Sequence, residues 1–192
     1  MIDLNSYEIF SESRQSLKET SKDDSNSQDI QYMTTSEMEV INFDLVKSKY
    51  ANALDLSEES ATSVDAILPF RDGIIFLEFK NGIVNNRNIK DKARDSLLIF
   101  LGIIKKSIEY SRRYIDFVVV YNAEKNPLSS QEKKRRLQET PSRVSIATCL
   151  MNKAGEEFVR FDLERYKTLY YRNIHTYTKD NFDRYLLSLE AE

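Results

Sequence analysis

Two strongly apolar runs separated by a short polar turn constrain the fold of this 192-residue chain more than any other feature. The first run covers residues 63–70, the second covers residues 74–79, and Arg71-Asp72-Gly73 lies between them. Such runs, joined by a turn that contains glycine, predict a pair of antiparallel strands. A nearly continuous apolar sequence is typical of a strand that is buried on both faces of a sheet. The chain is therefore expected to place this hairpin in the interior of a sheet.

Three charged residues interrupt the hairpin: Asp65, Glu78 and Lys80. Because side chains alternate along a strand, Glu78 and Lys80 share one face. A two-residue turn at 72–73 places Asp65 opposite Lys80, whereas a turn at 71–72 places it opposite Glu78. Both registers bring the three charges together on one face, but a three-residue loop without a bulge would separate them. The other face is predicted to pack in the core through Val64, Ala66, Leu68, Phe70, Ile75, Leu77 and Phe79.

Charges inside a buried sheet are costly unless they are paired or bind a metal. Two neighbouring carboxylates repel each other unless a positive group lies between them. A divalent cation would meet that need, since Mg²⁺ in proteins takes one or two carboxylates together with waters and phosphate oxygens. An adjacent lysine could orient a water and offset charge on a phosphate. The alternative is a structural cross-strand pair between a carboxylate and Lys80 at the rim of the sheet.

The pattern of Asp65, twelve intervening residues and then Glu78-Phe79-Lys80 resembles the PD-(D/E)xK, or restriction-endonuclease-like, nuclease superfamily. The resemblance implies that Asp65 and Glu78 bind Mg²⁺ or Mn²⁺ and that the backbone carbonyl of Phe79 is a further ligand. It also implies that Lys80 positions the attacking water. The proline that precedes the aspartate in many members is replaced here by Val64.

The resemblance implies an α/β fold with an αβββαβ core, in which helices flank a central mixed sheet. We expect a single domain over residues 1–192, with its core at about 36–125 and a C-terminal elaboration of further strands and a helix at about 126–192. The polar stretch at about 19–30 is expected to be a mobile loop. Within the elaboration, residues 144–151 and 158–162 are predicted to form strands.

A long amphipathic helix of about 20 residues follows the hairpin. Its apolar positions recur at helical spacing, with Leu98 and Phe100 broadening a stripe made by Ile89, Ala93, Leu97, Leu101, Ile104 and Ile108. Residues 115–121 then read as a β-branched strand. The order of strand, helix and strand predicts a right-handed crossover, so that this strand lies parallel to the second strand of the hairpin.

Acidic and basic residues outside the hairpin are candidates for supporting roles. A helix is predicted over residues 6–19, and members of the superfamily often add an acidic group from an N-terminal helix, for which Glu8 and Glu12 are the candidates. Two solvated carboxylates are the alternative. The basic residues near the start of the long helix and on a second predicted helix at 129–138 could contact phosphates or form solvated faces; these are Lys90, Lys92, Arg94, Lys133 and Lys134.

Composition excludes several classes of site. The chain contains one cysteine and one histidine, which excludes an internal disulfide and argues against zinc sites and histidine-based triads. A net charge of −3 argues against constitutive, nonspecific nucleic-acid binding, but a nuclease needs only one basic groove. No signal-peptide pattern opens the chain and no apolar run is long enough to span a membrane, so a cytoplasmic protein without a membrane partner is expected.

The resulting hypothesis is a Mg²⁺- or Mn²⁺-dependent nuclease that hydrolyses phosphodiester bonds of nucleic acid, with DNA as the favoured substrate. Defence, repair and mobile-element biology are the contexts that the resemblance implies, and a homodimer is one expectation because superfamily members often dimerise. The competing hypothesis is a catalytically inactive member that keeps the fold as an interaction or regulatory module.

Overall fold

A computed structural model describes residues 2–23, 26, 28–71, 73–138 and 158–191, with the backbone alone described at 135–138 and 190–191. Within these ranges the chain forms an α/β fold in which helices flank a six-stranded mixed sheet, and this confirms the predicted class. None of the helices in these ranges combines the length and the apolar character needed to cross a membrane. The strand predicted at 144–151 lies outside the described residues.

The N-terminal part of the chain forms short elements that lead to the edge of the sheet. They are α1 (Glu8–Ser11), β1 (Arg14–Ser16), α2 (Leu17–Thr20), β2 (Lys22–Asp23), β3 (Gln31–Tyr32), β4 (Glu39–Asn42) and α3 (Phe43–Asn52). The continuous helix predicted over 6–19 is wrong, because β1 interrupts it and pairs antiparallel with β4. The end of α2 and strand β2 lie inside the stretch predicted as a loop, and β2 pairs with β3.

The elements that build the centre of the sheet follow α3. They are β5 (Ala66–Phe70), β6 (Gly73–Lys80), α4 (Asn86–Ile104), α5 (Ile108–Tyr114), β7 (Ile115–Tyr121), α6 (Ser130–Gln138), β8 (Asn173–Thr178) and α7 (Lys179–Ala191). The strand predicted at 158–162 is wrong, since this stretch holds a turn and no strand. Its position beside β8 is fixed instead by the hydroxyl of Thr176, which accepts from the backbone N–H of Arg160 and donates to the carbonyl of Phe158.

The strand order is β1-β4-β5-β6-β7-β8. Strands β4, β5 and β6 are antiparallel neighbours, whereas β7 lies parallel to β6 and β8 parallel to β7. The predicted parallel arrangement of β7 beside β6, with the long helix between them in the chain, is thus confirmed. Strand β6 is buried from Gly73 to Phe79, and only its last residue, Lys80, is partly exposed.

The sheet separates two apolar layers. One layer contains Phe76, the apolar side of α4 and the segment around Tyr171, and the other contains Leu77, Phe79 and residues of α7. Most of the predicted core face of the hairpin lies in the second layer, and Phe70 packs against that layer. The residues within it are Ala66, Leu68, Ile75, Leu77 and Phe79. Val64 belongs to the other layer because β5 begins only at Ala66.

Helix α4 spans 19 residues, close to the predicted length, but it ends before Ile108, the last position of the predicted stripe. The side chain of Asn85 accepts from the backbone N–H groups of Arg87 and Asn88 and so begins the helix, as an N-cap asparagine commonly does. The helix ends at Lys105, which adopts a left-handed conformation with φ of 54°. Ile108 therefore belongs to α5, and Leu98 is 69% exposed rather than part of the apolar stripe.

Candidate functional site

The register of the hairpin determines where its three charges meet. Phe70 pairs with Gly73, which selects the second of the two predicted registers, and Arg71 adopts a positive φ of 46°. Continuing the register by one residue beyond Ala66 places Asp65 opposite Glu78 rather than opposite Lys80. The carboxylate of Asp65 accepts a hydrogen bond of 2.6 Å from the backbone N–H of Phe79.

Glu78 and Lys80 lie on the same face of β6, as alternation along the strand predicts. The side chain of Glu78 has no solvent exposure, whereas that of Lys80 is 24% exposed at the end of the strand. The ammonium nitrogen of Lys80 lies 2.8 Å from Oε1 of Glu78. Lys80 therefore contacts the buried carboxylate of Glu78 from the more exposed end of the same strand.

A second ammonium group, that of Lys92 on α4, lies between the two carboxylates. Its nitrogen is 3.2 Å from Oδ1 of Asp65, 2.8 Å from Oε1 of Glu78 and 3.0 Å from Oε2 of Glu78. Its side chain is 17% exposed. Proximity in sequence groups Lys92 with basic residues that could contact phosphates or form a solvated face, but the structure joins it to Asp65 and Glu78. We call Asp65, Glu78, Lys80 and Lys92 the charge cluster.

The loop before β5 positions Asp65 through contacts with helix α4. The backbone N–H of Val64 donates to Oγ of Ser96 at 2.8 Å, and Ser96 lies one turn beyond Lys92 on α4. Asp95 accepts from the backbone N–H and the hydroxyl of Thr62. These bonds attach the loop to the same helix that carries Lys92, so Asp65 and Lys92 are held in one unit.

Burial dominates the titration of the two carboxylates. It raises the pKa of Glu78 to about 7, with a further contribution from the charge of Asp65, while Lys92 and Lys80 act in the opposite direction. Burial also raises the pKa of Asp65 against the influence of Lys92 and of the Phe79 N–H group. For Lys92, burial disfavours the ammonium, but the charges of Asp65 and Glu78 outweigh it and raise its pKa. When all four groups are ionised, their formal charges cancel.

Asp44, in the first turn of α3, is an acidic group near the cluster that the sequence analysis did not select. Its charge contributes to the raised pKa of both Asp65 and Lys92. Asp44 itself is exposed and accepts a hydrogen bond from the hydroxyl of Ser63. A negative group at the N-terminus of a helix is favourable for the helix dipole, so its position in the first turn of α3 also has a structural explanation.

One oxygen of the cluster is shared by the two lysines. Oε1 of Glu78 is fully buried and lies 2.8 Å from the ammonium nitrogens of Lys80 and Lys92, neither of which is well aligned with it. Two adjacent carboxylates with such an oxygen supply the ligands that Mg²⁺ or Mn²⁺ takes together with waters. No group of three or more His, Cys, Asp or Glu side chains suited to a metal occurs in the described ranges. The carboxylate pair therefore fits a divalent cation if the ammonium of Lys92 moves aside.

The other predicted site residues lie elsewhere. Glu8 and Glu12 are exposed at α1, and Glu12 pairs with Lys49 at 2.9 Å, with a pKa lowered chiefly by the hydrogen bond from that lysine. The interaction that the structure gives Glu12 is thus with α3 and not with Asp65 or Glu78.

The basic residues at the start of α4 do not act as one group. Lys90 pairs with Asp162 at 2.6 Å, and Arg94 pairs with Asp91 on its own helix. Each residue turns about 100° around a helix axis, so Lys92 points away from both Lys90 and Arg94. On α6, Lys133 and Lys134 are exposed, and they stay predicted phosphate contacts.

The fold and the charge cluster define an α/β protein with two facing carboxylates and two ammonium groups at one end of its central strand pair. Comparison of the chain with protein-family models, with curated proteins and with solved structures finds no match. The chemistry of the charge cluster is therefore the basis for inferring a function.

Proposed function

We propose that this protein is a divalent-metal-dependent nuclease of the PD-(D/E)xK kind, with DNA as the favoured substrate. The observation that carries the proposal is the convergence of Asp65, Glu78 and Lys80 on one face of β6, with the glutamate buried completely. Perturbed carboxylates that share a specific charged partner concentrate at functional sites. The order of β4, β5, β6, α4 and parallel β7 also supports the proposal, because it follows the βββαβ part of the superfamily core.

The residues of the cluster have separate roles in this proposal. Asp65 and Glu78 bind the cation, and the backbone of Phe79, whose N–H already orients Asp65, supplies a carbonyl ligand. A divalent cation supplies Lewis acidity that polarises the scissile phosphate and makes a water more acidic. Lys80 reaches the cluster from its more exposed side, where it orients the water and offsets the negative charge that develops on the phosphate.

The charge of the surface limits where nucleic acid would bind. Lys133 and Lys134 on α6 are exposed and are the proposed phosphate contacts outside the cluster. Lys90 and Arg94 each pair with an aspartate, so a phosphate would compete with that partner for them. We therefore expect a modest affinity that depends on salt, since phosphate contacts release counterions.

Thermal melting with and without Mn²⁺ tests the metal site. Mn²⁺ should raise the Tm of the wild type, because a ligand that binds only the folded state stabilises it. The variants Asp65→Ala and Glu78→Ala should lose that increase. Glu12→Ala is the matched control, since it removes an exposed carboxylate that pairs with Lys49 and should keep the increase. If Mn²⁺ left the Tm of each of these four proteins unchanged, the metal site would be refuted.

Cleavage of plasmid and single-stranded DNA tests the catalytic role of Lys80. The wild type should cleave in the presence of Mg²⁺ or Mn²⁺, and Lys80→Ala should lose that activity while still binding the metal. Lys49→Ala, which removes a lysine from the pair with Glu12, should cleave as the wild type does. Equal cleavage by Lys80→Ala and the wild type would contradict the role assigned to this lysine.

One observation favours the second candidate, a catalytically inactive protein that keeps the fold for interaction or regulation. The ammonium groups of Lys92 and Lys80 already compensate the charges of Asp65 and Glu78, so the cluster is formally neutral without a metal. This candidate predicts no effect of Mn²⁺ on the wild-type Tm, which is the opposite of the result expected for the nuclease.

A further inference from the structure

We propose that Lys92 is a built-in competitor of the divalent cation: its ammonium group holds the cation position and must leave it before the metal can bind. The inference rests on the proposed function, because it concerns the regulation of the same site. It assigns to Lys92 a role in setting the affinity for the metal.

The contacts of Lys92 are those of a bound cation. Its nitrogen lies within 3.2 Å of oxygens from both Asp65 and Glu78, and these two carboxylates are the charged ligands that the proposed site offers to a metal. The nitrogen and a metal ion bound to the same oxygens would occupy overlapping space. Even if the ammonium and the ion lay a few ångströms apart, two positive charges near a protein surface would repel each other by several kcal/mol. Binding of the ion and retention of the ammonium in its present place therefore exclude each other.

The side chain has a route out of the site. Lys92 is partly exposed, at 17%, whereas Glu78 is completely buried. The long flexible stem of lysine allows its ammonium to reach solvent while its methylene groups stay packed. Asp44 is exposed, and its charge already acts on Lys92.

Lys80 does not share this role, although it also contacts Glu78. It contacts one oxygen of Glu78, at 2.8 Å, whereas Lys92 bridges the two carboxylates. The loop contact from Val64 to Ser96, one turn along α4, keeps the start of the helix against Asp65. The competition is therefore built into the packing of α4 on the hairpin.

Mn²⁺ affinity of the full-length protein, measured by isothermal titration calorimetry, tests the inference. Lys92→Met keeps the length of the side chain and removes its charge, and we expect it to bind Mn²⁺ about tenfold more tightly than the wild type, or tighter still. Lys92→Arg keeps the positive charge, so its affinity for Mn²⁺ should stay close to that of the wild type. Lys90→Met is the matched control on the same helix, and its affinity should be unchanged because Lys90 pairs with Asp162.

The outcomes separate this inference from the proposed function. Absence of Mn²⁺ binding by the wild type and by Lys92→Met alike would overturn both. Equal affinities of the wild type and Lys92→Met, with binding lost in Glu78→Ala, would leave the metal site in place and overturn the competition alone.

A second measurement covers the case in which Lys92→Met fails to fold. In wild-type protein labelled with ¹³C at lysine Cε, titration with diamagnetic Mg²⁺ should shift one buried lysine signal toward the position of solvated lysines. That signal should be missing from Lys92→Arg. A Lys92 signal that stays at its starting position at saturating Mg²⁺ would overturn the inference.

Discussion

Replacing Glu78 by glutamine should change how the stability of the protein depends on pH. The side chain of Glu78 has no solvent exposure, and burial followed by the charge of Asp65 raises its pKa from 4.5 to about 7. Glutamine has nearly the same shape and does not titrate. The variant therefore removes one titration from the folded state without opening a cavity.

The sign of the effect follows from proton binding in the two states. Between pH 4.5 and about 7 the folded state keeps the proton of Glu78 while the unfolded state has released it, so the free energy of unfolding falls as the pH rises. The contribution to stability is complete below the pKa that Glu78 has in the unfolded state and is lost as the pH rises through its pKa in the folded state. A rise from 4.5 to about 7 corresponds to about 3 kcal/mol. Because the carboxylate is fully buried, solvent screening does not reduce this value.

Urea denaturation at several values between about pH 5 and about pH 8 measures the effect. The difference in free energy of unfolding between Glu78→Gln and the wild type should increase by about 2 to 3 kcal/mol across this range. Comparing the two proteins cancels the titration of distant groups. Asp65 is coupled to Glu78, so the measured change belongs to the pair.

Glu12→Gln is the control for this experiment, because Glu12 is exposed and pairs with Lys49. Its difference from the wild type should stay constant over the same pH range. A constant difference for Glu78→Gln as well would refute the reasoning, since it would mean that the folded state ionises Glu78 as readily as the unfolded state does.

Two further predictions concern the packing around the sheet. Arg160 is 5% exposed and binds Glu132 at 2.9 Å, and hydrogen bonds from Arg160 and Ser129 outweigh burial and lower the pKa of Glu132 to about 2. In Arg160→Met, an NMR titration should show the pKa of Glu132 moving back toward 4.5. An unchanged pKa would contradict the role given to Arg160. Ser96→Ala leaves the N–H of Val64 without its acceptor, so urea denaturation should show a loss of about 1 to 3 kcal/mol, whereas a loss below about 0.5 kcal/mol would show that water replaces the hydroxyl.

The arrangement of the hairpin charges was predictable because it depends on local rules. Apolar runs and alternation along a strand were enough to place Asp65, Glu78 and Lys80 on one face. The choice between the two registers was not predictable. Glycine is common in turns, but Gly73 is the first residue of β6. A Cβ atom at that position would lie 2.6 Å from Nη2 of Arg172. A contact between residues so distant in sequence leaves no local signal.

The helix predicted at the N-terminus failed for a related reason. Residues 14–16 have no strong strand pattern of their own, and they form β1 because β4 offers an open edge to pair with. Tertiary pairing thus overrides a local preference for helix, as is common for short segments.

Lys92, in contrast, carried a signal that the sequence analysis did not use. It lies three residues after Ile89 and four before Ser96, both of which are buried against the sheet. Residues at these spacings share one side of a helix, so Lys92 falls within the buried stripe of α4. A lysine in such a stripe needs a negative partner, and Asp65 and Glu78 on the preceding hairpin were the available carboxylates. Grouping Lys92 with Lys90 and Arg94 by sequence proximity concealed this relation.

The remaining question is whether the charge cluster is a structural network or a site for a ligand, and the hydrogen bonding of Glu78 bears on it directly. A network that serves stability alone gains most when each buried polar atom has a partner, and an unsatisfied acceptor costs about 1 to 3 kcal/mol. In the cluster, Oε1 of Glu78 lies 2.8 Å from two ammonium nitrogens, which compensate its charge although neither is well aligned with it. Apolar residues of similar volume in place of a buried ion pair often leave stability unchanged or increase it, so the ion pairs alone are weak evidence for a purely structural role. A divalent cation binds carboxylate oxygens without the directional demands of an N–H donor, so it would suit this oxygen better than the two lysines do.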